Sequence, residues 1–162
     1  VIDLHDSYEV FVNESDLKND EFEYFFTTDS NIVYILGFSN ASYLFRTECL
    51  VCSNIFSFTF YPSEQKGQYD PKIKLTIIKT IHRFIELYRC PVIYVCDTSS
   101  SGGRGRLRLF SSWFNEYSKG LFLHDQRIFE TDYQQIPLGI IAAVSDSNFN
   151  QYLNEIDSAW MG

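Results

Sequence analysis

No apolar run in the sequence approaches the ~18 to 20 residues of a membrane-spanning helix, so a bilayer span is not expected. Charged residues are scarce at 21%, while hydrophobic residues reach 45% and aromatic residues 17%. That balance excludes a disordered tail, a collagen and a coiled coil. A secretory leader is not expected either, because the opening VIDLHDSYEV is acidic where a leader needs a basic stretch and then a continuous apolar one. A cytoplasmic protein is therefore expected. What is present is apolar bulk: 15 Phe and 11 Tyr in 162 residues. A chain of this size buries roughly two-thirds of its unfolded surface. One globular domain over residues 1–162 is expected, with 1–22 as an acidic N-terminal segment packed on or beside it.

The net charge of −8 is unevenly spread. Residues 1–30 hold nine acids against Lys18, and residues 122–162 hold six acids against Arg127. Between them, residues 66–108 carry nine bases against Asp70, Glu86 and Asp97. The basic middle suits a small anionic ligand or a protein partner, and the acidic flanks would repel a polyanion as long as duplex DNA. A solvated helix face balanced by the N-terminal acids accounts for the same pattern. The acidic, aromatic-spotted segment up to Glu23 is expected to fold back onto the basic helix, the other option being to dock a basic partner.

The four cysteines are expected as free thiols before disulfides, with no secretory leader expected. Cys49 and Cys52 form a C-x-x-C inside ECLVCSNIFSFTFY, which reads as a strand. Residues three apart on a strand face opposite ways and cannot close one tetrahedral site, so no metal is expected.

Along the chain, EFEYFFTTD, NIVYILGFSNASYLF and CLVCSNIFSFTFY are aromatic and β-branched runs with short connections, which predicts antiparallel neighbours. Asp70 and Pro71 then read as N-cap and first helical residue. KIKLTIIKTIHRFIELY places Ile77, Ile78, Ile81, Phe84, Ile85 and Tyr88 on one helical stripe, with Lys72, Lys79 and Arg83 outside it. PVIYVCD predicts a strand covered on both faces. TSSSGGRGR predicts a loop, RLRLFSSWFNEYS a helix, LFLHDQRIFE and PLGIIAAVS two strands, and SNFNQYLNEIDSAW a closing helix from near Ser147. The fold class is α+β, a mixed and mostly antiparallel sheet flanked by helices in the order β-β-β-α-β-α-β-β-α. The central strand-helix-strand unit implies one parallel pair.

This order resembles the core of the GCN5-related N-acetyltransferase fold over roughly residues 22–160. The resemblance implies acetyl-CoA as cofactor, with Glu64 as base and Tyr117 as acid. The family's pyrophosphate loop maps to Tyr61–Pro71, where its spacing of Arg or Gln, Gly and a second small residue is missing. Asp70 would put its own carboxylate at the helix N-terminus, and Pro71 removes an amide donor. A second resemblance rests on Cys96, Asp97, Gly103, Arg104, Arg108, Phe110, Trp113 and Phe114. The stretch CDTSSSGGRGRLRLFSSWF is similar to the signature region of a family of small uncharacterised bacterial proteins, with no activity to transfer.

The candidate site is an anion- or partner-binding loop made of Asp97, Ser100, Ser101, Gly102, Gly103, Arg104, Arg106 and Arg108. Glycines admit close backbone approach, hydroxyls stand before them, and Arg104 and Arg108 lie one helical turn apart after a buried strand. No Walker spacing is present. His5, His82 and His124 are far apart in sequence, and His124-Asp125 is not assigned as a catalytic pair because nothing fixes its geometry. No complete catalytic set emerges. The expected function is a non-catalytic interaction or regulatory protein, such as a component of a bacterial toxin-antitoxin or phage-defence module. The alternative is an acyl-CoA-dependent N-acetyltransferase relative with a degenerate loop.

Overall fold

The computed structural model describes residues 6–16, 18–64, 70–95, 103–117, 120–133 and 135–161, with the backbone alone described at 14, 103–108, 117, 160 and 161. Ten regular elements follow one another: β1 (Phe11–Asp16), β2 (Glu21–Thr27), β3 (Val33–Asn40), β4 (Phe56–Pro62), α1 (Pro71–Tyr88), β5 (Val92–Val95), α2 (Gly103–Tyr117), β6 (Phe122–Glu130), β7 (Gln135–Ala143) and α3 (Phe149–Met161). The strands form one sheet in the order β1-β2-β3-β4-β5-β7-β6. Every neighbouring pair is antiparallel except β4 with β5. The chain is thus α+β with a mixed, mostly antiparallel sheet. No described helix is long and apolar enough to cross a membrane.

β3 shows why the sheet forms here. Its inward residues Tyr34, Leu36 and Phe38 are buried, while Val33, Ile35, Gly37 and Ser39 alternate with them on the other face, the period-2 pattern of a half-covered sheet. Between β2 and β3 the turn closes through Thr28, whose amide donates to the Ile32 carbonyl (2.9 Å) and whose hydroxyl accepts from the Ile32 amide (3.1 Å). Asn31 supplies the left-handed residue of that turn, at φ 61°, a conformation Asn tolerates better than most side chains.

Two expectations need correction. FVNESD is a fourth antiparallel strand, β1, at the sheet edge, where partial exposure lets a strand carry few apolar residues. The stretch around Cys49 and Cys52 is not strand: two 3-10 turns, Ser42–Leu44 and Leu50–Asn54, separate β3 from β4. Side chains compete with the sheet ladder there. Asn40 Oδ1 accepts from the Ser42 amide (2.8 Å), and the Ser53 hydroxyl donates to the Leu50 carbonyl (2.9 Å).

The helices divide the core between the two sheet faces. α1 and α2 pack on one, where Phe22, Phe26, Leu36, Phe38, Phe58 and Tyr94 meet Ile77, Ile81, Phe84, Phe110 and Phe114. α3 and the 3-10 turns cover the other beneath β5, β6 and β7, through Ile93, Leu138, Ile140, Tyr152 and Ile156. Of the α1 stripe, Ile77 and Ile81 are fully buried and Phe84 nearly so. Arg83 is exposed as expected, but Lys72 and Lys79 are half-buried, because the N-terminal segment lies on them. The Tyr8 amide donates to Thr76 Oγ1 (2.8 Å), Lys79 donates to the Ser7 hydroxyl (3.1 Å), and Lys72 Nζ sits 4.3 Å from the centre of the Tyr8 ring. Ser7 and Tyr8 of the N-terminal segment thus lie on the basic helix, while Phe11–Asp16 runs along the sheet edge as β1.

Candidate functional site

Of the residues singled out in the sequence, Asp97, Ser100, Ser101 and Gly102 lie outside the described residues. Gly103, Arg104, Arg106 and Arg108 belong to the first turns of α2, and their side chains are likewise not described. The helix begins at Gly103, so the end of the stretch expected as a loop supplies its first turn. Glu64 is exposed just beyond β4, and the Tyr117 side chain is not described.

What the fold does bring together is a polar chain between sheet and α2, starting from Tyr94. Tyr94 pairs with Gly139 on β7, and Gly139 pairs with Gln126 on β6. Because residue 139 has no side chain, the Tyr94 ring lies across β7 and reaches the edge strand. A Cβ at 139 would stand 2.0 Å from Tyr94 Cζ. The buried hydroxyl then meets His124 Nε2 at 2.7 Å and Gln126 Nε2 at 3.0 Å. Ser111 donates to Gln126 Oε1 (3.1 Å), and His124 Nδ1 meets Asn115 Oδ1 at 3.3 Å.

The donors and acceptors fix one direction through this chain. Asn115 Oδ1 can only accept, so the imidazole carries its proton on Nδ1 and leaves Nε2 to accept from Tyr94. Gln126 donates to Tyr94 and accepts from Ser111, so every link is satisfied. Burial pushes the His124 pKa down to about 4, against a smaller upward pull from Asp125. The imidazole is therefore neutral at pH 7, with both nitrogens engaged. His124 and Asp125 do not pair with one another. Adjacent strand residues point to opposite faces, and the Asp125 carboxylate instead meets Arg127 (3.1 Å). This chain anchors α2 to β5 and β6. Sequence reasoning missed Tyr94, Ser111, Asn115, Gln126 and Gly139, since their meeting depends on β7 inserting between β5 and β6.

The N-terminus of α1 is the second place where chemistry is decided. Pro71 has no amide proton, the Lys72 amide donates to Asp70 Oδ1 (2.9 Å), and the Ile73 amide donates to the Asp70 carbonyl (3.0 Å). Asp70 Oδ2 accepts from the Tyr8 hydroxyl, which accepts in turn from the Asp29 amide (3.2 Å). Asp29 also stands 3.7 Å from Lys72 Nζ. The first amides of the helix and the nearest lysine are thus engaged by the chain's own groups, where an anion would otherwise bind.

Next to it, the parallel pairing of β4 with β5 holds at two registers, Phe56 with Val92 and Ser57 with Ile93. The Phe110 ring of α2 packs on this face against both strands, 5.1 Å from Phe60 on β4 and 5.3 Å from Tyr94 on β5. Trp113 closes over Phe60 at 6.2 Å. Lys74 of α1 and Glu116 of α2 bridge the helices at 2.8 Å.

The C-x-x-C corrects the expectation of free thiols. The 3-10 turn folds Cys49 and Cys52 toward one another and they form a disulfide. Glu155 of α3 lies beside them, its carboxylate within 4.8 Å of the sulfurs. Its carboxylate receives both Nε (3.2 Å) and Nη2 (2.9 Å) of Arg46, a bidentate guanidinium pair that supplies the positive charge there. Cys90 is a buried thiol whose pKa burial raises to about 12, so it stays protonated and packs as an apolar residue.

A family model described as a family of unknown function (DUF6169) matches residues 69–158, from the N-cap of α1 into α3. No curated protein and no solved structure matches the chain.

Proposed function

The chain belongs to the DUF6169 family of unknown function, and from its own geometry we propose a non-catalytic interaction or regulatory protein built on a GCN5-related acetyltransferase-like sheet whose cofactor path is closed. The observation that carries this reading is the N-terminus of α1, where Asp70 takes the Lys72 and Ile73 amides and Tyr8 covers the second carboxylate oxygen. A pyrophosphate at that point would meet a carboxylate in place of free donors, an arrangement that repels it. Phe110, packed against Phe60 of β4 and Tyr94 of β5, adds apolar bulk where those strands end. The arginine-rich stretch from Asp97 to Arg108 stays in the proposal as an anion- or partner-contacting loop, and a toxin-antitoxin or phage-defence module as its setting.

The element order β4-α1-β5-α2-β6-β7 favours a second reading, an acyl-CoA-dependent N-acetyltransferase relative. A thermal-shift panel of acetyl-CoA, nucleotides and inorganic phosphate separates the two, because a ligand specific for the folded state raises its melting temperature. The interaction reading predicts no rise with acetyl-CoA. A saturable rise with acetyl-CoA would replace it by the transferase reading.

A further inference from the structure

The half of the sheet formed by β1 to β4 is covered by α1 and α2 on one face, and no described helix packs on its other face. The registers line up side chains across that open face. Phe11 pairs with Phe25, Phe25 with Ile35, and Ile35 with Tyr61, giving one apolar row across four strands. Phe11 and Tyr61 are 46% and 49% exposed, so the row meets solvent at both ends. The next row along the strands runs Glu23, Gly37, Thr59. Gly37 has no side chain to raise there, and a hollow of about 170 Å³ opens over it between Glu21, Glu23 and Thr59. Asn13 donates to Glu23, which fixes that carboxylate at the rim.

We propose that this face is a docking surface for a basic, apolar-anchored segment of a partner protein, with an apolar side chain on the Phe25–Ile35 row and a Lys or Arg head over Gly37 between Glu21 and Glu23. This rests on, and deepens, the interaction reading above. Two features select the occupant. The apolar row offers burial, and its acidic border supplies complementarity only to a cation. Successive same-face rows are two residues apart on a strand, about 7 Å, so an extended partner presents anchor and cation at positions i and i+2. A second copy of the chain does not fit, since it would set Asp16, Glu21 and Glu23 of one face against the same carboxylates of the other. Nucleic acid and anionic lipid are repelled by the same groups.

The test is a selection from a random library of peptides about twelve residues long, long enough to run the length of β2 and β3, on the immobilised full chain. The double variant Glu21→Lys/Glu23→Lys and the variant Phe25→Ser serve as comparisons, with melting temperatures measured beside them. The expected result is enrichment of peptides carrying an apolar residue two positions from Lys or Arg. Their affinity should fall about tenfold or more in either variant and weaken as salt rises, with the variants' melting temperatures near that of the parent. No enrichment, enrichment of acidic peptides, or peptides that bind both variants as tightly as the parent would overturn the proposal. So would a parent dimer that Phe25→Ser dissociates in sedimentation velocity. Acetyl-CoA binding by the same preparation would sink the interaction reading and leave the peptide result to stand by itself, so the two failures are distinct.

Discussion

The Tyr94 ring occupies the space that a side chain at Gly139 would fill, with Tyr94 Cζ standing 2.0 Å from where a Cβ would be. Gly139→Ala therefore displaces the ring and breaks its bonds to His124 and Gln126. Overpacking of a buried site costs about 1 to 3 kcal/mol, and the lost hydrogen bonds add to it. A urea midpoint for the alanine variant within error of the parent would show that the ring moves freely.

His124 makes stability depend on pH. Its folded pKa of about 4 lies below its ordinary value of 6.5, so below 6.5 the unfolded state binds the proton that the folded state refuses. The contribution is complete above pH 6.5 and is lost as pH falls from 6.5 toward 4. Unfolding midpoints measured across that window should drop more steeply for the parent than for His124→Gln. Equal slopes, or an imidazole that titrates near 6.5 by NMR in the folded chain, would refute the buried neutral assignment.

Ile81 is fully buried on the inner stripe of α1. Ile81→Ala should lower stability by ~2 to 5 kcal/mol, the usual range for emptying a large aliphatic site. A change within experimental error would mean that the α1 stripe is not packed on the sheet.

The Cys49–Cys52 disulfide closes a very short loop, so chain entropy gives it less than the ~3 kcal/mol of a fifteen-residue loop. Protein alkylated without reductant should yield a peptide with Cys49 and Cys52 joined, and reduction should lower the melting temperature slightly without unfolding. Alkylation of both residues in untreated protein would restore the free-thiol expectation.

Much of this fold can be read from residue order. Asp70 and Pro71 mark the start of α1, Ile77 to Tyr88 set its buried face, and the alternation in VYILGFSN gives β3. These signals are local, carried by neighbours within one or two turns. β1 is harder, because FVNESD at an edge needs little apolar content. The turn at Cys49–Asn54 hides behind β-forming residues, and bonds from Asn40 and Ser53 decide it. The polar chain is not legible at all. Tyr94, His124 and Asn115 come from three elements, and the order β5-β7-β6, with glycine at one position of the middle strand, is what joins them.

Closure of the α1 N-terminus to phosphate is tested most directly by amide NMR of the native chain during an acetyl-CoA titration. The Lys72 and Ile73 amides, held by Asp70, should not move at cofactor concentrations up to about 1 mM, where even a weak site with ~4 kcal/mol of binding free energy would be half filled. Saturable shifts of those two amides would show that the carboxylate cap yields to the cofactor, and would contradict the closed path.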